Sequence, residues 1–291
     1  MLICSLLSKR LQAQTMDQLS EVLTRFSISA GVFYTGNLCG LSNFSPDGVE
    51  QGHLHLLESG RINVIDQNGQ SIVVDEPSVM FFPRPTQHRL MAEERDNAQL
   101  VCASVRYGTG ASNPLANALP EMLVIKLSEA GSLQAATKLL FEEAFTEENG
   151  RLAMMDRLTE VFIIHLLRFA MDSGLVKQGL LSGLAHSQLS KPIRAVHANP
   201  EKPWALEDLA ELAAMSRSKF AEEFRNTMGQ TAGDYILEWR IALAQALLKK
   251  GKPVGVVANE VGYENASALA RAFRKKTGHS PKQWLESTSV H

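Results

Sequence analysis

Between Pro203 and Trp284 the sequence states one pattern twice, and this duplication constrains the fold more than any other feature of the chain. Phe224-Arg225 recurs as Phe273-Arg274, Gly229 as Gly278, Thr231 as Ser280 and Tyr235 as Trp284, an offset of 49 residues from 224 to 273. Two copies are too few for a solenoid, which needs at least three stacked units to bury its faces. The alternative is a duplicated supersecondary motif.

Each copy opens on a short helical pattern, Leu206, Leu209 and Leu212 in the first and Val254, Val257 and Val261 in the second. Apolar residues three to four apart put one stripe toward a core. A break follows, Met215-Ser216 or Gly262-Tyr263-Glu264-Asn265, where Ser216 and Asn265 offer side-chain oxygens to cap a second helix. That helix buries Phe220 and Phe224, or Leu269 and Phe273, and ends at Gly229 or Gly278, the residue suited to a left-handed C-cap. The spacing is that of a helix-turn-helix.

Over roughly residues 188–287 the pair resembles the DNA-binding domain of the AraC/XylS family of transcriptional regulators. The motifs that carry the resemblance are Val257-Ala258, Val261-Gly262-Tyr263, Ala272-Phe273-Arg274 and Gly278-His279-Ser280-Pro281. It implies sequence-specific binding of double-stranded DNA and a partnership with RNA polymerase. Outward residues of the two second helices are then the readers: Arg217, Ser218, Glu222 and Arg225 in the first, Ser267, Arg271 and Arg274 in the second. Arg271 is the strongest, since a guanidinium can bond both O6 and N7 of a guanine. Arg274, Lys275 and Lys276 suit phosphate, which positions the protein without reading bases. Glu222 stands where a basic residue is often found, so the first copy reads cytosine or contributes less. The helix between the motifs, with Ile236, Trp239, Leu243, Ala246 and Leu247 on one stripe, fixes the separation of the readers for successive major grooves about 34 Å apart.

The net charge of −2 hides an asymmetry. Residues 188–291 hold 15 Lys and Arg against 11 Asp and Glu, an excess of +4, which leaves −6 on the remainder. The basic surplus lies with the duplicated motif. Residues 1–15 place Lys9 and Arg10 after a short apolar run, the reverse of a secretory signal, and no run of about 20 apolar residues suggests a membrane span. The expectation is a cytoplasmic protein with no membrane contact, starting at Met1 or Met16, with residues 1–15 a disordered extension.

From Gly31 to Tyr107 short β-rich runs take over, with strands expected at Leu54–Leu57, Arg61–Ile65, Ser71–Val74, Val79–Phe82 and Leu100–Arg106 and a hairpin turn at Asn68-Gly69. Such a succession reads as an antiparallel sandwich or barrel. His53-Leu-His55 with Glu58, and Pro83-Arg-Pro-Thr-Gln-His88, resemble the two motifs of a cupin. The fold expected is therefore α+β in two domains: a cupin-like β-barrel sensor with flanking helices over 16–174, a linker over 175–189, and an all-α domain of paired helix-turn-helix motifs over 190–291.

His53, His55 and His88 are candidates for a ligand pocket or for a metal such as zinc, iron or nickel inside the barrel. No cofactor is required by the reading. Glu58 falls on the opposite strand face from His53 and His55 and is a poor fourth ligand. Cys4, Cys39 and Cys102 are too few for a secreted disulfide framework. Cys39, in a Gly36–Gly40 loop, and Cys102 are redox candidates, since some cupin-bearing members of this family sense reactive chlorine through cysteines in these regions. In the helical segment 131–174, Leu158, Val161, Phe162, His165, Leu166 and Phe169 form a stripe that packs on its own domain or, through Leu158, Phe162, His165 and Phe169, forms a homodimer surface. Two functions compete: a transcriptional regulator, not an enzyme, whose sensor responds to a small-molecule effector or redox signal, or a metal-dependent cupin oxygenase or isomerase fused to a DNA-binding domain.

Overall fold

The computed structural model describes residues 17–45, 51–108 and 113–288. Met1, Cys4 and Met16, and with them the N-terminal extension, lie outside the described residues.

The chain enters through α1 (Gln18–Arg25), capped by Asp17, whose carboxylate accepts from the Ser20 amide at 2.9 Å. Nine strands follow. β1 (Ile28–Leu38), β3 (Gln51–Ser59), β6 (Ser78–Phe82), β8 (Ala98–Tyr107) and β9 (Leu123–Lys126) make one antiparallel sheet in the order β1-β8-β3-β6-β9. β2 (Gly40–Phe44), β4 (Ile62–Ile65), β5 (Ser71–Val74) and β7 (His88–Ala92) make a second, ordered β2-β7-β4-β5. The expected hairpin turn joins β4 to β5, with Asp66 accepting from the Asn68 and Gln70 amides at 2.8 Å. The two sheets face one another as a sandwich and are not closed into a barrel.

Alternation along the strands sorts the core into two layers. Leu57, Met80, Phe82, Leu100 and Cys102 point at the facing sheet and pack with Ile62, Val64 and Leu90. Their neighbours Leu54, Leu56, Val79, Phe81, Val101 and Ala103 point the other way, under the helices. Because both faces are covered, β6 and the Leu100–Ala103 part of β8 carry unbroken apolar runs, while β3 alternates His53-Leu54-His55-Leu56 with all four buried.

The helical cover is α2 (Pro114–Asn117), α3 (Gly131–Ala144) and α4 (Arg151–Asp172). α4 lies on β1, where Asp156 accepts from the Val32 amide at 2.9 Å beside a strand bulge. Phe162 on α4 is fully buried in its own domain, so it is no part of a surface, and Leu158, His165 and Phe169 are half-buried. The exposed large apolar residues of α4 are Leu152, Met154 and Val161, of which Val161 alone belongs to the expected stripe.

The expected linker is not a loose tether. It contains α5 (Leu180–Ala185), with Leu180, Leu181 and Leu184 buried, and leads into α6 (Ser190–Ala198). The first motif is α7 (Leu206–Leu212) and α8 (Arg217–Met228); the second is α10 (Val254–Glu260) and α11 (Ala266–Thr277). The first helices are offset by 48 residues, 206 to 254, and the second by 49, 217 to 266, so the second turn is one residue longer. Ser216 and Asn265 cap as expected, accepting from the Lys219 amide at 3.4 Å and the Ala268 amide at 2.9 Å. Gly229 and Gly278 close the helices at φ of 75° and 78°. The chain ends on α12 (Pro281–Thr288), where Trp284 meets Phe273 edge-on at 5.8 Å.

Between the motifs runs α9 (Ala232–Lys249), about 27 Å long at 1.5 Å per residue. One face, Tyr235, Trp239, Ala242 and Ala246, belongs to a core shared by the sensor and the first motif. Another, Ile241, Ala244 and Leu248, belongs to the core of the second. The junction with the sensor is aromatic: Phe26, after α1, sits edge-on to Trp239 at 5.0 Å, and His197 of α6 stacks on its ring at 3.5 Å.

Candidate nucleic-acid interface and sensor interior

Each reading helix buries one stripe and exposes the other. In α11, Leu269 and Phe273 are buried, while Ser267, Arg271, Arg274, Lys275 and Lys276 are exposed. Ser267, Arg271 and Arg274 are spaced by four and three residues, so they share one side of the helix. α8 repeats this, with Phe220 and Phe224 inward and Arg217, Ser218, Glu222 and Arg225 exposed. Arg217 is ion-paired with Glu207 at 3.0 Å. Among the described residues Lys219, Arg225, Arg271, Arg274 and Lys275 of the two reading helices form no ion pair, which leaves their charge uncompensated.

Lys276 differs from its neighbours. Its ammonium pairs with Glu238 of α9, so part of its charge is already compensated, and it ties the end of α11 back to the joining helix.

Sequence reasoning missed Arg240. Its Nε donates to the Pro200 carbonyl at 2.7 Å and its Nη2 to the Lys202 carbonyl at 2.9 Å, ahead of the first motif. Its guanidinium also reaches Gly262 in the turn of the second motif: Nη1 donates to that carbonyl at 3.5 Å. Gly262 has φ of 82°, and a Cβ there would lie 2.8 Å from Arg240 Nη2, so the turn needs glycine for both conformation and space. A basic residue directly before the apolar run Ile241–Leu248 was the available signal.

Inside the sandwich the three histidines do converge. His88 lies between the parallel rings of Phe82 at 3.7 Å and Phe44 at 4.8 Å, and His53 is 5.3 Å from it. His88 Nδ1 donates to the Thr86 carbonyl at 2.7 Å, which leaves its Nε2 as an acceptor. The partner of that Nε2 is His55 Nε2 at 2.9 Å, so His55 must carry its proton there. Burial and mutual repulsion hold His55 well below the usual histidine range, and burial takes His88 down to about 4. All three are neutral near pH 7.

In this arrangement His55 Nε2 holds the proton of the hydrogen bond, and a shared ion would have to displace it to reach the lone pair of each Nε2. Among the described residues no group of three or more His, Cys, Asp or Glu is arranged to hold a metal ion. Glu58 is half-buried at the far end of β3 and lines a separate open hollow with Phe141 and Phe145.

The cysteines are not brought together. β1 runs through Gly36, Asn37 and Leu38, so the expected loop is a strand end, and Cys39 is the exposed joint where the chain passes from one sheet to the other. Cys102 pairs with Tyr34 in the β1–β8 register, five residues back from Cys39. At about 3.3 Å per residue this separates the two on the order of 15 Å, against a disulfide limit of about 7 Å between Cα atoms. Burial also pushes the Cys102 thiol up to about 12.

Comparisons with known proteins agree with this architecture. A family model described as Cupin matches residues 17–172, more than half of the chain, and one described as Helix-turn-helix domain matches 209–287. The HTH-type transcriptional regulator AlkR of Acinetobacter baylyi is 29% identical over 264 residues, covering 86% of each chain. The RCS-specific HTH-type transcriptional activator RclR of Escherichia coli is 27% identical over 237 residues, 80% of this chain and 83% of that one. Among solved structures, ToxT of Vibrio cholerae with an unsaturated fatty acid bound aligns over 91% of this chain and 96% of its own, at 14% identity and a TM-score of 0.42. Among the described residues no helix is long and apolar enough to cross a membrane.

Proposed function

This chain belongs to the AraC/XylS family of transcriptional regulators, with a cupin domain ahead of its paired helix-turn-helix, and we propose that it reads an asymmetric DNA site with α8 and α11. The observation that carries this is α9, whose two faces lie in the cores of the two motifs, with Arg240 tying the segment ahead of the first motif to the turn of the second. A rigid spacer of this kind lets both reading helices enter successive major grooves of one duplex face. The exposed cations of α11 make the second motif the stronger reader, while Glu222 and the Arg217–Glu207 pair weaken the first.

On this reading the sandwich is a sensor and not a catalyst. It signals through the aromatic junction of Phe26, His197 and Trp239, which joins α1 to α9 without a flexible hinge. Recruitment of RNA polymerase, a cytoplasmic setting and a homodimer assembled over the Met154 and Val161 side of α4 complete the proposal. Selection of binding sites from a random duplex pool by the full-length protein is the test. The reading requires a site longer than one helical turn, with strong base preferences in the half contacted by Arg271. Recovery of random sequence only, or turnover of a small molecule by the sensor, would sink it.

A further inference from the structure

The first reading helix is held from behind by the segment that leaves the sensor. α8 ends at Met228, so the carbonyls of its last turn have no partner inside the helix. The chain just ahead of α5 supplies two donors: the Gly179 amide donates to the Thr227 carbonyl at 2.9 Å, and Gln178 Nε2 donates to that of Asn226 at 3.1 Å. Gly183 of α5 lies so close to Met228 and Ile193 that a Cβ on it would run into both. His186 adds a further tie. Its Nδ1 accepts from the Gln188 and Leu189 amides at 3.2 and 3.1 Å, so its Nε2 carries the proton and donates to Glu223 of α8 at 3.2 Å. Among the described residues the hydrogen bonds and ion pairs of α11 stay within its own motif or run to Glu238 of α9.

The same segment is seated on the sensor. Gly179 has φ of 98° and ψ of −167°, a conformation that only glycine takes readily, and a Cβ there would lie 3.3 Å from the Ala118 Cα. The two backbones therefore pack directly. Ala118 is in turn fixed by Arg84, whose Nη1 donates to the Ala116 carbonyl at 2.6 Å and the Leu119 carbonyl at 2.8 Å, on either side of it. The Arg84 carbonyl accepts from Thr86 Oγ1 at 3.1 Å, and the Thr86 carbonyl accepts from His88 Nδ1 at 2.7 Å. Hydrogen bonds and one backbone contact thus lead from the histidine cluster to the end of α8.

We propose that Arg84, Gln178 and Gly179 are positioning residues for α8, through which the sensor interior sets the presentation of the first reading helix alone. The aromatic junction on Trp239 acts differently, because α9 belongs to the cores of both motifs. A sensor change that moves α2 displaces Gly179 and the carbonyl it holds, whereas no such bond reaches α11. The effect is bounded by how much the two sensor states differ in this contact. The inference deepens the regulator reading and rests on it only for the consequence on DNA.

The test compares full-length wild type with Arg84→Gln, Gln178→Ala and Gly179→Ala, and with Arg151→Gln as a matched control. Arg151 also ties down a helix end in the sensor, its Nε donating to the Ala144 carbonyl at 3.1 Å, but it lies off this route. Hydrogen exchange read by mass spectrometry should quicken about threefold or more across residues 217–228 in the route variants and stay unchanged across 266–277, with Arg151→Gln altering neither. Gln178→Ala, which removes one exposed bond, keeps the comparison available should another variant not fold. Selection from a random duplex pool should show base preferences weakened in the half read by α8, identified with Arg225→Ala, and kept in the half read by α11, identified with Arg271→Ala. A merely structural defect lowers the active fraction without redistributing preference between the halves. Should wild type select no sequence, the regulator reading fails while the exchange comparison still decides this one. Unchanged exchange in α8 of folded Arg84→Gln, equal acceleration of both helices, or preferences lost equally from both halves overturns the proposal.

Discussion

His55 and His88 meet Nε2 to Nε2 at 2.9 Å in the middle of the sensor sandwich, a geometry that only one proton can occupy. Acidification therefore acts on a site that cannot accept charge. The folded values lie below the ordinary histidine value near 6.5, so the unfolded chain binds protons first as pH falls. The stability they contribute is present above pH 6.5 and is lost between 6.5 and about 4, on the order of 2–3 kcal/mol for His88. Urea unfolding at pH 7, 5.5 and 4.5 should show this slope, and His55→Leu/His88→Leu should flatten it. An equal slope in the double variant would assign the acid sensitivity elsewhere.

In the DNA-binding half Arg271, Lys275 and Lys276 of α11 should separate. Arg271→Ala is expected to cost about 1–3 kcal/mol on the specific site, with relaxed preference at one base position. Lys275→Ala should weaken all sequences alike and reduce the salt slope by about one. Lys276→Ala should change the slope less than Lys275→Ala, because Glu238 already holds its ammonium. Anisotropy titrations at four salt concentrations, on specific and random duplexes, distinguish the three; identical slopes for both lysines would deny the ion pair any role.

Arg240→Ala probes the spacing of the motifs. Its guanidinium bonds carbonyls on both sides of α9, and charge-assisted bonds of this kind contribute about 1.5–3 kcal/mol when a partner is lost. A drop of that size in unfolding free energy should come with a larger loss on a full operator than on a half-site, since only the former needs both helices in register. Equal losses on the two duplexes would make Arg240 a stability residue alone.

The helix-turn-helix pair was legible to the residue because its signals are local: a capping Ser216 or Asn265, a closing Gly229 or Gly278, and apolar positions three and four apart. The sandwich was legible only in part. β6, covered on both faces, stands out as an apolar run, whereas β1 has mixed burial and exposes Phe33, so its sequence carries neither run nor alternation. Pairings between distant residues were not legible at all. The His55–His88 contact, the Arg240 clamp and the separation of Cys39 from Cys102 depend on strand register and helix packing, which the sequence specifies only through the whole fold.

The apolar stripe of α4 shows the same limit. Phe162 is fully buried, so Phe162→Glu places a charge in the sensor core and should unfold or destabilise the protein by several kcal/mol rather than release a folded monomer. Val161, one residue earlier and 46% exposed, tests the surface instead. Val161→Glu should stay folded, with wild-type melting, and weaken self-association in sedimentation. Unchanged association in Val161→Glu would remove this side of α4 from the interface.

The two described cysteines lead to the last prediction. A thiol must ionise to be oxidised readily, and burial holds Cys102 near a pKa of about 12, so almost none of it is thiolate at neutral pH. Cys39 is exposed at the joint between β1 and β2 and is open to oxidants, but the strand register keeps it far from Cys102. Oxidation of the folded protein should then stop at sulfenic acid on Cys39 or join it to a thiol of another molecule. Hypochlorite treatment followed by non-reducing mass spectrometry should find Cys39 modified and Cys102 intact, with Cys39→Ser abolishing any oxidant response and Cys102→Ser leaving it in place. A Cys39–Cys102 disulfide in the treated protein would require β1 to leave β8, and would mean that the sensor switches by opening its five-stranded sheet.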